Sequence, residues 1–217
     1  DNVGKVLLTR GKTTEPDGTE VIFQPDPTMF RSPIVPHDFI LNRCCIATAL
    51  GYKARLIIDG KEFIPQNNIF SLIKEEDEKV VTYLDIPEID STNSVGELMK
   101  VALRYTSDTK DKYLGYTNLL SNYLGGTHVQ VLSKTISNLW ESFIDKHKNV
   151  KPLVELKPSD YLVGLRGICA VFISKPEFSS QTKEKLVVAK NYFDDLMKDF
   201  SKKLYKWLED NIDKAQQ

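Results

Sequence analysis

The chain has 217 residues, of which 41% are hydrophobic and 27% are charged. This balance is ordinary for a globular protein and excludes an intrinsically disordered chain, and the length suits one large or two small domains. The formal net charge of −1 excludes a module that coats DNA through uniform positive charge, but it leaves room for a local basic patch.

Signals for targeting, disulfides and metals are weak. No apolar run approaches the ~18 residues that a membrane-spanning helix needs, and no signal segment opens the chain. The three cysteines are an odd number, with Cys44 and Cys45 adjacent, and the three histidines are scattered. A disulfide framework and a zinc site are therefore disfavoured. We expect a cytoplasmic protein with reduced thiols, no metal ligands and no membrane partner. Because the chain begins with Asp1 instead of Met, we also expect it to be processed or cut from a longer protein.

The N-terminal part of the sequence predicts two strands and then a domain junction. Strand patterns cover residues 5–9 and 18–23, and Pro16-Asp17-Gly18 forms a turn signal between them. Four prolines between residues 25 and 36 exclude a helix or a central strand there. We place the junction in this proline-rich loop.

The middle of the chain predicts a helix over residues 36–50, which Gly51 ends, and then a hairpin around Asp59-Gly60. An Asp-Gly pair favours a type I′ turn. Apolar and charged residues alternate over residues 99–105, which indicates a half-buried strand. The other predictions, in chain order, are hairpin strands at 53–58 and 61–64, a short helix at 68–74, a solvated acidic run at 75–78, and strands at 80–86 and 112–118.

The last third of the chain predicts two long helices and a buried strand. Apolar residues at helical spacing cover residues 127–147, where Thr127 and Gln130 have capping-box spacing. The apolar run at 167–174 predicts a strand that is covered on both faces. A further helical segment is expected after Ser180, and it continues into an amphipathic C-terminal helix with the stripe Phe193, Leu196, Phe200, Leu204 and Trp207. The mixture predicts an α+β or mixed α/β fold.

The segment 176–186 is one candidate site, because it connects the buried strand to the expected helix. Gln181 and Lys183 would lie in the first turn of that helix, where free N–H groups and the helix dipole favour an anion. Lysines at this end of a helix are otherwise unfavourable. Lys183 and Lys185 therefore indicate either an anionic partner or simple exposure, and we expect Lys183 to be largely exposed.

The pair Gly125-Gly126, just before the long helix, is a second candidate. Two glycines there would let backbone approach a ligand closely, or they form a plain strand-to-helix connection. His128, in the first turn of the helix, is expected at the surface. Standard catalytic motifs such as G-x-S-x-G, H-E-x-x-H and Walker A do not occur in the sequence.

Four motifs in order resemble a known family. In chain order, the first motif is "DGTEVIFQPD", which is similar to G-T-x-V-x-F-x-P-D, and the second is "FILNRCCIATALGYKARLIIDG". The third is "GGTHV", which opens the long helix, and the fourth is "GL" followed by "FSSQTKEKL". Their order and spacing resemble the ATPase-bearing B subunits of type IIA DNA topoisomerases, gyrase B and topoisomerase IV B. The resemblance covers about residues 15–190.

The resemblance implies a fold and a domain plan. The fold is α+β: a transducer domain like ribosomal protein S5 domain 2, with a left-handed βαβ crossover, followed by a long C-terminal helix. Residues 1–30 would be the end of a GHKL ATPase domain, residues 31–190 the transducer domain, and residues 191–217 the helix that leads toward a TOPRIM domain.

The resemblance also implies a function within an ATP-dependent DNA topoisomerase, an isomerase. By motif match, Gln181 and Lys183 bind the terminal phosphate of ATP, and Lys183 is catalytic. The family's ATP-binding domain, with its nucleotide pocket and its Mg, would belong to the rest of the subunit, so the isolated chain is expected to be inactive. DNA, the topoisomerase A subunit and a second B subunit in an ATP-dependent dimer are the implied partners. The alternatives are the second domain of another GHKL ATPase, of the mismatch-repair or chaperone type, and a non-enzymatic nucleic-acid-binding module.

Overall fold

The computed structural model describes residues 11–12, 14, 18–32, 34–53, 55–63, 68–73, 80–147 and 154–215. The predicted strand at 5–9, the turn residues Pro16 and Asp17, and the acidic run at 75–78 lie outside these ranges. The chain divides into two compact units, Asp1–Phe39 and Ile40–Gln217. Residues 191–217 therefore share a unit with the preceding sheet, whereas the assignment of ATPase and transducer domains stays a prediction.

The described part of the first unit has turns but no strand. The strand predicted at residues 18–23 is wrong, because Val21, Ile22 and Phe23 are exposed and no neighbouring backbone pairs with them among the described residues. The alternation of the side chains alone cannot form a strand without a hydrogen-bonded partner. Asp26 organises the following turn, since its carbonyl oxygen accepts hydrogen bonds from the amides of Met29 and Phe30, each at 3.0 Å.

The helix and hairpin that the sequence predicts next are confirmed. Helix α1 (His37–Ala49) ends before Gly51, whose φ of +99° suits glycine. Strands β1 (Ile57–Ile58) and β2 (Lys61–Glu62) form an antiparallel hairpin. Asp59 and Gly60 have φ values of +49° and +76°, as a type I′ turn requires.

A five-stranded sheet forms the framework of the second unit. Its strands are β3 (Thr82–Thr92), β4 (Leu98–Thr106), β5 (Lys112–Thr117), β6 (Leu120–Ser121) and β7 (Leu165–Phe172). Their spatial order is β3-β4-β7-β5-β6, and β5 and β7 run parallel while the other neighbours are antiparallel. The chain passes from β5 through β6 and a helix to the parallel strand β7, which is a βαβ connection.

Two long helices cover one face of this sheet. They are α2 (Thr127–Lys146) and α3 (Asp194–Asp210), which is followed by the short α4 (Ile212–Ala215). The apolar stripes that the sequence predicts on these two helices face the core, and their residues Ile136, Phe143, Phe200 and Leu204 are completely buried. Trp207 packs at the edge and stays half-buried. The C-terminal helix is therefore part of the core of this unit, next to α2 and β3.

The other face carries a smaller cluster, which changes the environment of β4. A 3-10 helix, Ile69–Ile73, replaces the short helix predicted at 68–74 and packs with Leu50 against Ala102 and Ile168. Strand β4 is consequently covered on both faces, so its prediction as half-buried is wrong. Its charges are neutralised across the sheet: Arg104 donates to both carboxylate oxygens of Asp85 at 2.6 and 2.8 Å.

The buried strand predicted at 167–174 is confirmed as β7, whose residues Ile168, Cys169 and Val171 are fully buried. Burial raises the pKa of the Cys169 thiol, which keeps it protonated and apolar. None of the helices in the described ranges is long and apolar enough to cross a membrane.

Candidate functional site

The two segments singled out in the sequence meet at the carboxyl ends of the parallel strands β5 and β7. One loop follows β6 and leads to α2, and the other follows β7 and carries Gln181 and Lys183. Asn118 fastens the two strand ends together, because its side-chain amide donates to the carbonyl of Ile173 at 2.8 Å and accepts from the Ile173 amide at 2.9 Å. These bonds extend the β5–β7 pairing by one residue on each strand.

Gly126 and Leu186 form the closest contact between the loops. They are joined as a parallel bridge, in which the Thr127 amide donates to the Leu186 carbonyl at 2.9 Å. A Cβ atom on Gly126 would lie 2.7 Å from that carbonyl oxygen and 2.8 Å from the Leu186 nitrogen. The close approach that Gly125-Gly126 allows is therefore to protein backbone, and Leu186 itself is completely buried.

The loop with Gln181 and Lys183 is not helical, so the expected helix after Ser180 is wrong. Phe178 pairs with Leu186 as an antiparallel bridge, and the Ser179 amide donates to the Lys185 carbonyl at 3.1 Å. The chain thus turns back on itself, and the free amides of a helix N-terminus are not available to an anion there. The next helical residues begin at Lys190.

Gln181 and Lys183 lie at the exposed tip of this loop, as expected for Lys183. The Lys183 amide donates to the Ser180 carbonyl at 3.1 Å, and the side chain of Asn122 donates to the Lys183 carbonyl at 2.9 Å. In the part of the chain that the structure describes, no carboxylate pairs with the Lys183 ammonium. The loop therefore holds its backbone and presents a free cation.

His128 is buried, so its expected surface position is wrong. Its ring lies between Gly115, where a Cβ would sit 2.7 Å from Nε2, and the Phe193 ring, with centroids 6.4 Å apart. Neither ring nitrogen has a hydrogen-bond partner among the described residues. Burial lowers the pKa of His128 to about 4, so the imidazole is neutral near pH 7.

The capping box predicted from Thr127 and Gln130 is also wrong. Gly126 is the N-cap residue of α2 and offers no side chain, while Thr127 is already helical. The Thr127 hydroxyl instead donates to the Leu186 carbonyl at 3.4 Å. The start of α2 is thus fixed by the neighbouring loop.

Glu97 joins three parts of the site and gives no signal in the sequence, since its partners are as far as 95 residues away. Its carboxylate accepts hydrogen bonds from the Tyr192 hydroxyl at 2.5 Å, from the Ser174 amide at 3.0 Å and from Asn93 Nδ2 at 2.9 Å. Burial raises the pKa of Glu97, but the bonds from Tyr192, Ser174 and Asn93 outweigh burial and hold the pKa below its usual value. The base of the Lys183 loop is thereby tied to the residues that precede α3.

The described residues offer no metal site, since they contain no cluster of three or more His, Cys, Asp or Glu side chains. What the site offers chemically is a cation and an amide on a fixed loop, which suits contact with a phosphate group.

Comparisons with known proteins identify relatives of most of the chain. The sequence profile described as DNA gyrase B matches residues 61–217. The B subunit of DNA gyrase from Thermotoga maritima is 26% identical over 186 residues, which is 80% of this chain and 29% of that protein. The B subunit of the type 2 topoisomerase from Aquifex aeolicus is 28% identical over 202 residues, which is 84% of this chain and 25% of that protein. The chain thus spans less than a third of the length of these two relatives.

Solved structures share the fold. The 43K ATPase domain of Thermus thermophilus gyrase B, in complex with an aminocoumarin, superposes with a TM-score of 0.68 at 19% identity, covering 88% of this chain and 53% of that one. The topoisomerase IV ATP-binding domain of Francisella tularensis gives a TM-score of 0.67 at 22% identity, with the same coverage of 88% and 53%. The α+β fold expected from the sequence is therefore confirmed.

Proposed function

This chain belongs to the DNA gyrase B family, and we propose that it is the transducer part of the B subunit of an ATP-dependent type II topoisomerase. In this proposal Gln181 and Lys183 sense the terminal phosphate of ATP, and the chain couples hydrolysis to the passage of DNA strands. The match to the DNA gyrase B profile supports this proposal over a mismatch-repair or chaperone ATPase.

The observation that carries the proposal is the placement of Lys183 on a fixed loop with an unpaired ammonium. Leu186 holds the base of the loop, and Asn122 holds the Lys183 carbonyl at its tip, where the side chain of Lys183 is exposed. A cation held in this way can enter a nucleotide pocket that another domain supplies. There it would stabilise the negative charge that develops on the terminal phosphate during transfer.

Glu97 supports the second half of the proposal, the transmission of the nucleotide state. Through Ser174 it contacts the start of the Lys183 loop, and through Tyr192 it contacts the residues before α3. If phosphate binding displaces the loop, the displacement would therefore shift the start of α3, a helix that forms much of the core. Coupling of this kind needs an element with two arrangements, and we propose the loop and α3 as that element.

The cofactor and the partners follow from the same proposal. ATP would be contacted from Gln181 and Lys183, while Mg would be held by the rest of the protein. DNA, the topoisomerase A subunit and a second B subunit are the proposed partners. The isolated chain should not turn over ATP, because association alone costs about 4–15 kcal/mol of lost freedom and one exposed loop offers few contacts to offset it. Phosphate release above background from this chain would contradict that expectation.

The decisive experiment replaces Lys183 by Ala in the full-length protein and measures steady-state ATP hydrolysis. We expect the rate to fall by about 10²–10³-fold, as for the loss of one preorganised stabilising group. Lys185→Ala is the matched control, because Lys185 lies on the same loop but is half-buried beside Leu186. Equal turnover by the two variants would refute the proposal.

A further inference from the structure

We propose that Asn122 is a positioning residue for Lys183, an inference that rests on the proposed function of Lys183 as the phosphate sensor. Asn122 lies on the loop that leads to α2, and its exposed fraction is only 1%. Its side-chain amide donates to the carbonyl oxygen of Lys183 at 2.9 Å, across 61 residues of sequence. It therefore contacts the backbone of the sensor residue and not the nucleotide.

The orientation of the Asn122 amide is fixed by a second buried group. The hydroxyl of Thr117, which is completely buried, lies 2.6 Å from Asn122 Oδ1. A carbonyl oxygen such as that of Lys183 can only accept, so the amide must turn its NH₂ group toward Lys183 and its oxygen toward Thr117. The Thr117 hydroxyl then donates to Asn122 Oδ1, so both hydrogen bonds of the series Thr117–Asn122–Lys183 have a defined donor and acceptor.

The backbone of Asn122 is held as firmly as its side chain. Its amide donates to the carbonyl of Gly115 on β5 at 2.8 Å, and its carbonyl accepts from the Gly125 amide at 2.7 Å. The amide that contacts Lys183 is therefore mounted on the sheet. Such support by neighbouring groups is what a functional side chain needs to keep its geometry.

Lys183 needs that support because its backbone is strained. Its φ of +59° is in the left-handed region, which is unfavourable for a residue with a Cβ atom. The bond from Asn122 to its carbonyl and the bond from its amide to Ser180 hold this conformation. Without the Asn122 bond the loop would relax toward ordinary dihedral angles, and the ammonium would leave the direction in which the loop now presents it.

The test uses Asn122→Asp in the full-length protein, because aspartate keeps the size and the oxygen that Thr117 contacts but loses the N–H donor to Lys183. We expect the kcat of ATP hydrolysis to fall on the order of tenfold to a hundredfold, as for a small misplacement of a reacting group. In the Lys183→Ala background the same change should alter kcat by less than about twofold, since the effect passes through Lys183. A merely structural role would lower kcat by the same factor in both backgrounds.

Asn118→Asp is the matched control, because it makes the same amide-to-acid change in the nearby turn between β5 and β6 but breaks a bond to Ile173 instead. We expect it to lower the melting temperature and to leave kcat within about twofold of wild type. If Asn122→Asp does not fold, Thr117→Val removes the hydroxyl that fixes the amide and should lower kcat in the same direction.

The outcomes separate the two proposals. Wild-type turnover by Lys183→Ala refutes the phosphate-sensor function itself. Two other outcomes overturn the positioning role alone, provided that Lys183→Ala impairs turnover. One is wild-type turnover by Asn122→Asp. The other is an equal loss of kcat when Asn122→Asp is made in the wild-type and in the Lys183→Ala background. Hydrogen exchange on the 217-residue chain gives an independent measurement. The Lys183 amide should exchange faster in Asn122→Asp than in Asn118→Asp, and equal rates would also overturn the positioning role.

Discussion

The backbone of Gly126 lies against that of Leu186 so closely that only glycine fits at the start of α2. One further carbon atom at Gly126 would stand 2.7 Å from the Leu186 carbonyl oxygen, which belongs to backbone and cannot turn aside. Gly126 is the second residue of the motif GGTHV, and Leu186 is the last residue of the motif FSSQTKEKL. Their contact therefore joins the two loops of the candidate site.

We predict that Gly126→Ala separates these loops and destabilises the chain. Over-packing against backbone, together with a φ of +152°, should lower the free energy of unfolding by about 2–4 kcal/mol. Gly125→Ala is the control, since its φ of +72° is also unfavourable for alanine but nothing lies within 4 Å of the added carbon. Urea unfolding of both variants measures the difference, and equal losses would show that the contact with Leu186 contributes nothing.

His128 should make the stability of the chain depend on pH in mildly acidic solution. The folded pKa of about 4 lies below the usual value of 6.5, so protons bind the unfolded chain first as the pH falls. The stability is therefore full above pH 6.5 and falls progressively toward pH 4, by roughly 3 kcal/mol in total.

His128→Leu tests this dependence, because leucine neither titrates nor leaves ring nitrogens unpaired. Between pH 7.5 and 5 we expect its unfolding free energy to change less than that of wild type. His37→Leu makes the same substitution at an exposed histidine and should keep the wild-type slope. A wild-type slope in His128→Leu would show that the buried imidazole is not the titrating group.

The parts of the fold that the sequence predicted correctly depend on local or periodic signals. Helices α2 and α3 have apolar residues every three or four positions, and such a stripe must face a core. The Asp59-Gly60 pair needs two positive φ angles, which few other pairs tolerate. In each case the residues that determine the structure are close in sequence.

The wrong predictions depend on contacts between residues that are distant in sequence. The sequence after Ser180 predicts a helix, yet the bridges from Gly126 and Phe178 to Leu186 turn the chain back on itself there. In the same way, the surface prediction for His128 could not include Phe193, which covers it. The motif match selected Gln181 and Lys183, but it gave no hint of Asn122 or Glu97, whose partners lie on other loops.

Glu97 should stabilise the connection between the Lys183 loop and the start of α3, because it accepts hydrogen bonds from Ser174 and Tyr192. Glu97→Gln keeps the shape but turns an NH₂ group toward a donor, so we expect a loss of about 1–3 kcal/mol at pH 7. Its pKa is below the usual 4.5, so the stabilisation is present above that pH and is lost as the pH falls through the folded pKa. The variant should therefore lose less stability than wild type below pH 4.5. Tyr192→Phe, which removes one of the donors, should show a smaller loss at pH 7, and a larger one would contradict this account.

The last prediction concerns which property of Lys183 matters. Lys183→Arg keeps the positive charge and the exposed position, but a larger, planar guanidinium cannot occupy the place of a compact ammonium. In the full-length protein we therefore expect Arg to restore little of the ATP hydrolysis that Lys183→Ala loses. Gln181→Ala should reduce hydrolysis in the same direction but less, because it removes a neutral donor. Since both side chains are exposed, all three variants should unfold within about 0.5 kcal/mol of wild type. Full activity in Lys183→Arg would mean that charge alone suffices, and would remove the requirement for an ammonium held at one position.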